Sequence, residues 1–159
     1  MFVGHFAAGL AMRGRARQVP VTVYVGGAFV LDFLWIGFSV TGIDPTPWSD
    51  WSHSLLMALV WSSAFAVLFA KFGGRAAVAV WLIVFSHYVL DLLVQGATLY
   101  PFAPPSLLIP ILLTDCAWLL QRLLTAAFLL VFVADEWKAK VLSWRTGAAC
   151  ALVVALSFR

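Results

Sequence analysis

A histidine and an aspartate four residues apart, His87 and Asp91, interrupt an otherwise apolar stretch, AAVAVWLIVFSHYVLDLLVQG, from Ala76 to Gly96. The stretch is long enough to cross a bilayer as a helix. Residues four apart share one helix face, so an imidazole and a carboxylate point the same way at membrane depth. An ionisable group there costs several kcal/mol, roughly 2.5–3.5 for an Asp at a helix centre on insertion scales, so it needs a partner and usually has a purpose. Other apolar runs offer partners: His5, Asp32 and His53. With His87 these include every histidine of the chain. Imidazole nitrogen and carboxylate oxygen form a borderline donor set suited to zinc, manganese or iron. No cysteine lies near in sequence, so thiolate ligation is not expected. Five donors exceed one closed tetrahedral site. They suit one open site, or two metals bridged by a carboxylate such as Asp91. Two metals about 3.5–4 Å apart can clamp a phosphoryl oxygen and supply hydroxide at neutral pH. The bland alternative is a hydrogen-bonded core in which each group is satisfied locally. His53, at the edge of its apolar run between Ser52 and Ser54, is the residue to which that reading applies best, because the serines could belong to a helix cap.

The elements that must position these groups are membrane helices. Of 159 residues, 64% are hydrophobic and 11% charged, against about 25% charged in an ordinary soluble domain. Mean hydropathy is +1.00. The expectation is a single integral membrane domain over residues 1–159, all-α, a polytopic transmembrane helical bundle of four to five spans plus a short N-terminal membrane segment. Apolar runs and breakers divide it. Phe2–Met12 is too short to span, and Arg13–Gln18 is a basic loop. Val19–Val40 is the first span, followed by the loop Thr41–Ser52. His53–Phe72 is the second span and Arg75–Gly96 the third. After the proline-rich Ala97–Pro105 comes a long fourth run, Ser106–Ala134. Asp135–Arg145 is a charged connector, and Thr146–Phe158 is a last run of marginal length. The N-terminal apolar run precedes its basic cluster, the reverse of a cleavable signal peptide. Cys116 and Cys150 read as buried apolar thiols.

Charge gives the orientation. Arg13, Arg15, Arg17, Lys71, Arg75, Lys138, Lys140 and Arg145 fall at alternate ends of successive spans, while Thr41–Ser52 and Ala97–Pro105 contain no Lys or Arg. By the positive-inside tendency the basic ends are cytoplasmic. The net charge of +3 thus has a topological origin, and no nucleic-acid partner is expected. This topology brings His5, Asp32, His53, His87 and Asp91 to comparable depths in the outer half of the bilayer. In the fourth run Asp115 and Arg122 lie seven apart on one helix face. They compensate each other, or Arg122 snorkels to the surface, or Asp115 reaches the cluster as a further ligand or base.

The segments GHFAAGL (Gly4–Leu10), LDFLW (Leu31–Trp35), WSHSLLMALVW (Trp51–Trp61), SHYVLDLLV (Ser86–Val94) and LYP (Leu99–Pro101) resemble, in the same order, the bacterial inner-membrane metal-dependent hydrolases, also described as LexA-binding, membrane-associated hydrolases. The resemblance runs from about Met1 to Tyr100. The order His, Asp, His, His-x3-Asp is more distantly similar to the zinc-dependent phospholipase C and P1 nuclease group. That resemblance implies a divalent metal, zinc first, with Asp32, His53, His87 and Asp91 holding one ion and His5 with Asp91 another. It implies a metal-activated water as nucleophile, Asp91 or Asp115 as general base, and a phosphoester or lipid headgroup as substrate. Relatives often carry another ligand-type residue after the final Asp, where this chain has Gln95 and Gly96. A non-catalytic small subunit of a larger membrane complex, keeping the hydrolase-like fold, is the alternative expectation; a proton or ion pathway is the third. Membrane lipids are the expected partners in every case, and the inner membrane of a bacterium the expected location.

Overall fold

A computed structural model describes residues 2–43, 50–95, 98–103 and 114–139. Among these residues the protein is all-helical, with no strand. The helices are α1 (Phe2–Met12), α2 (Val21–Gly27), α3 (Val30–Thr41), α4 (Asp50–His53), α5 (Leu55–Phe69), α6 (Gly74–Gln95) and α7 (Thr114–Lys138). Single 3-10 turns follow α1 at Arg13–Arg15 and α5 at Ala70–Phe72.

The helices start and stop where the sequence punctuates them. Pro20 sits at the N-cap of α2 with φ −57° and ψ 143°, where its missing N–H costs nothing. Gly42 closes α3 in the left-handed conformation at φ 71°, and its N–H reaches the carbonyls of Phe38 and Ser39, a cap that glycine adopts without steric cost. With 22 residues, α6 is about 33 Å long at 1.5 Å per residue, which matches a hydrocarbon core of about 30 Å.

Two helices are long and apolar enough to cross a membrane, Leu55–Phe72 and Gly74–Leu93, or three if α2 and α3 form one bent span. The sequence suggests four to five. One reason is that the expected first span, Val19–Val40, is broken. The chain leaves the helix at Ala28–Phe29, and α2 and α3 meet at 54°. No proline marks the break. Gly26-Gly27 weakens the helix just before it, and Gly27 lies so close to α6 that a β-carbon there would meet Ile83 Cγ2 at 3.1 Å. Helix α7 runs on into the charged residues Asp135, Glu136 and Lys138. The helix thus overrides the expected connector boundary at Asp135. Residues 106–113 and the last expected run at 146–158 lie outside the described residues.

Helix α6 is the centre of the bundle. Half of its spanning window is buried, against 11% for α5, whose Leu56, Leu59, Val60, Val67 and Leu68 face outward as a lipid-facing helix would. Against α6 pack α5 along its length, the stub α1, and parts of α2, α3 and α7. Helix α1 enters this core because its residues are small. Ala7, Ala8 and Ala11 are buried, and a β-carbon on Gly9 would sit 2.4 Å from the Tyr24 carbonyl oxygen. Small residues let backbones approach closely where no water is squeezed out to drive association.

The two ends of the bundle are held differently. At one end Arg13 and Arg17 meet Glu136, Gln18 donates to the Phe72 carbonyl, and Tyr24 OH donates to the Ala16 carbonyl at 2.6 Å. Among the described residues, Arg13–Gln18, the turn at Ala70–Phe72 and the end of α7 thus meet at one end, while Lys140 and Arg145 lie outside the described residues. At the other, Asp50 is buried and accepts from Thr98 Oγ1 at 2.9 Å and from the Phe102 N–H at 3.3 Å. The first N–H groups of α5, on Leu55 and Leu56, donate to the carbonyls of Thr98 and Leu99 at 2.9 and 3.0 Å. That backbone pairing caps α5. Ser54 occupies the N-cap but makes no side-chain cap bond, so the serine cap suggested by the sequence does not form there.

Candidate metal centre

Four helices and the α2–α3 break deliver one cluster. His5 comes from α1, Asp32 from the first turn of α3, His53 from the end of α4, and His87 with Asp91 from α6. The five residues proposed from the sequence converge. His87 is the pivot, with a side chain only 1% exposed. Its Nδ1 lies 2.6 Å from the carbonyl oxygen of Ala28. A carbonyl only accepts, so Nδ1 carries a proton and Nε2 is the atom turned to the cluster, where the neutral ring would present a lone pair. The break between α2 and α3 is what makes this possible. A carbonyl within a continuous helix is taken up by the N–H four residues later, whereas the Ala28 carbonyl at the break turns to the imidazole. This arrangement fixes the ring and its tautomer, as commonly found behind metal-binding histidines.

Around His87 Nε2 the distances are closely matched. His53 Nε2 is 3.2 Å away, Asp91 Oδ2 3.1 Å and Asp32 Oδ1 3.5 Å. His53 Nε2 is in turn 3.5 Å from Asp32 Oδ1 and 3.6 Å from Asp91 Oδ2. A tetrahedral ion with bonds of about 2.0–2.2 Å holds its donor atoms about 3.3–3.6 Å apart. These five separations cluster around that interval. The far nitrogen of His53, Nδ1, is 2.7 Å from Ser52 Oγ, so a hydroxyl orients this ring where a carbonyl orients His87.

Asp91 faces two ways. While Oδ2 approaches His87 and His53, Oδ1 lies 3.4 Å from His5 Nε2. The His5 ring stacks on His87, with centroids 4.1 Å apart and planes 30° from parallel, and its Nε2 is also 3.4 Å from the His87 carbonyl oxygen. Two overlapping groups could each hold a metal ion: Asp32, His53 and His87, and His5, His87 and Asp91. They share His87, which offers one lone pair, so both cannot use its nitrogen fully at once.

Access is one-sided. The side chains of Asp32, His53 and Asp91 are 26%, 17% and 13% exposed, whereas His5 and His87 are buried. Exposure rises across the cluster, from His5 and His87 on α1 and α6 to Asp32 on α3. Catalytic sites keep such an opening; purely structural ones close it.

The backbone of Asp115 lies in the first turn of α7. Its side chain and that of Gln95 lie outside the described residues, as do those of Cys116 and Cys150. Two contributors escaped the sequence reading. The Ala28 carbonyl belongs to the backbone, and the only hint of its release was Gly26-Gly27 within an apolar run. Ser52 was read as a possible cap and instead touches His53. No protein-family model matches this chain, no curated protein matches it, and no solved structure matches it, so its chemistry is read from these side chains.

Proposed function

We propose that this protein is a membrane-embedded hydrolase that depends on a divalent metal and acts on a phosphoester, in particular a lipid headgroup. The observation that carries the reading is that His53 Nε2 and His87 Nε2 lie 3.2 Å apart and that each lies between 3.1 and 3.6 Å from Asp32 Oδ1 and from Asp91 Oδ2. Two carboxylates whose close partners are imidazoles require added positive charge in a largely buried site, and a dication held by the rings in their neutral form would supply it. The nitrogen–oxygen donor set and four-coordinate spacing favour zinc. The ion would supply Lewis acidity and a nucleophile at neutral pH. His87 and His53 would hold it through Nε2. Asp32, at the mouth, would hold it beside the incoming substrate. Asp91 would bridge toward His5 and is the candidate proton acceptor within the described site. The motif resemblance to inner-membrane metal-dependent hydrolases points to the same chemistry. A site embedded among membrane helices and open on one side favours a substrate that arrives from the lipid.

The deciding experiment is elemental analysis of protein purified without chelators under metal-replete conditions, followed by assay on bis(p-nitrophenyl) phosphate. Stoichiometric zinc and metal-dependent release of nitrophenolate are expected. Protein without bound metal would overturn the reading. The charge pattern supports a basic end in the cytoplasm, and the motif resemblance supports a bacterial inner membrane as the location. In a background lacking Cys116 and Cys150, Ile43→Cys and Gly74→Cys should react with an impermeant thiol reagent from opposite sides.

A further inference from the structure

A cavity of about 570 Å³ opens at the basic end of the bundle, between the turn after α1 and the start of α6. Gly14, Arg15, Gly74, Arg75, Val78 and Ala79 line it. Its charges differ from those beside it. Arg13 and Arg17 are committed to Glu136. Among the described residues Arg15 donates to Met12 Sδ at 3.3 Å and no carboxylate pairs with Arg15 or Arg75. The Asp135 carboxylate packs against Gly14 at the cavity edge, leaving two guanidiniums against one carboxylate. Both guanidiniums are solvent-exposed. The cavity wall then turns apolar. Val78, 59% exposed, lies three residues beyond Arg75 on α6, about 4.5 Å farther along the helix axis. The same helix is long and apolar enough to cross a membrane. A cationic rim over an apolar wall, at the end of a spanning helix, has the polarity profile of one phospholipid: anionic headgroup above, acyl chain below.

We infer that this cavity binds an anionic phospholipid, with Arg15 and Arg75 pairing with its phosphate and an acyl chain lying along Val78. Guanidinium pairs with phosphate in a two-pronged geometry that an ammonium cannot reproduce, and basic pockets between membrane helices are suited to anionic headgroups. Inorganic phosphate would satisfy the arginines but leave the apolar wall uncovered. The site is separate from the His–Asp cluster and stands whether or not that cluster binds metal.

Native mass spectrometry of the full-length protein, titrated in detergent with phosphatidylglycerol or phosphatidylcholine, tests this. The wild type should retain phosphatidylglycerol in preference to phosphatidylcholine. Arg15→Gln and Arg75→Gln should each weaken retention about fivefold, and the double variant about 30-fold, following the worth of one basic residue near an anionic lipid. Lys138→Gln, at the same end but outside the cavity, should leave it unchanged. Circular dichroism melting confirms that each variant is folded, and the single variants serve if the double one is not. Equal retention of both lipids, equal loss in Lys138→Gln, undiminished binding in folded arginine variants, or displacement by millimolar inorganic phosphate would each overturn the proposal.

Discussion

Two buried carboxylates, Glu136 and Asp91, sit in opposite electrostatic circumstances. Glu136, only 3% exposed in its side chain, accepts from Arg13 Nη1 at 2.8 Å and is ion-paired with Arg17 Nη1 at 3.1 Å, while Arg17 Nη2 donates to the Asp135 carbonyl. Its charge is fully met by groups that are always cationic. Asp91 has only imidazoles around it, from His5, His53 and His87, with a second carboxylate, Asp32, across the same nitrogens. The first arrangement is charge-balanced by fixed cations, although among the described residues Glu136 Oε1 accepts and Arg13 Nε donates no hydrogen bond, and it joins α7 to the turn after α1. The second is complete only with added positive charge, as protons or as a metal. The contrast separates an acid that holds the fold from acids positioned to hold something else.

The largest effect should come from the second cluster. His87→Ala removes the nitrogen that lies within 3.1–3.5 Å of His53, Asp91 and Asp32 alike and leaves the Ala28 carbonyl without its donor. Metal content should fall from stoichiometric to background in elemental analysis. Asp91→Ala should do the same, since both of its oxygens are engaged. His53→Ala should weaken binding less, because its ring is nearer the opening and a water can replace it. If His87→Ala retained a full complement of metal, the two clusters would not differ as argued.

Glu136→Gln should produce the reverse pattern. The charge that Arg13 and Arg17 share disappears while their guanidiniums stay half-buried. Breaking a fully buried pair costs about 3–5 kcal/mol. Arg13 and Arg17 are 25% and 34% exposed, so about 2 kcal/mol is expected here. Thermal unfolding should shift down while metal content per folded protein stays constant. Loss of metal in folded Glu136→Gln would mean that the two clusters are coupled.

How much of this was legible in sequence follows the same division. The His–Asp cluster was legible because ionisable residues in apolar runs stand out, and the i, i+4 spacing of His87 and Asp91 fixes a common face. The stub α1 coincides with its expected bounds. Glu136 was less legible. It lies among other charges at Asp135–Lys140, a pattern that ordinarily means a solvated connector, and only the packing of α7 against α1 buries it. Asp50 was hidden likewise, since an acid in a loop needs no explanation until Thr98 and Phe102 are seen around it. The α2–α3 break was barely legible: Gly26-Gly27 is a weak signal within an apolar run, no proline marks the site, and the approach of Gly27 to Ile83 is a tertiary contact.

Gly9→Ala probes how α1 brings His5 to the cluster. The new methyl would fall 2.4 Å from the Tyr24 carbonyl oxygen, on backbone that cannot rotate away. Overpacking of this kind costs about 1–3 kcal/mol, and α1 must shift outward with His5. Thermal stability should drop by that amount, and any ion relying on His5 should bind more weakly than the one between His53 and His87. By contrast Gly37→Ala, on the open face of α3 with nothing within 4 Å, should be neutral or slightly stabilising. Equal behaviour of the two would remove close approach as the reason for glycine at position 9.

The smallest expected effect concerns the polar groups behind the donor nitrogens, where the two histidines differ. His87 is oriented by a carbonyl in the protein interior, which nothing can replace. His53 is oriented by Ser52 Oγ at 2.7 Å, near the opening. If Nε2 faces the ion, Nδ1 carries a proton and the hydroxyl oxygen accepts it. Ser52→Ala removes that acceptor, and loss of such a partner weakens metal affinity by about 10–100-fold. The lower end, about tenfold, is expected because His53 is partly exposed and a water can accept the same proton. Metal-competition titration with a chromogenic chelator would measure it. The effect should vanish in a His53→Ala background, since the serine would then have no ring to orient. A tenfold loss that persists without His53 would assign Ser52 another role, while no loss in the parent protein would mean that Nδ1, not Nε2, is the nitrogen His53 uses.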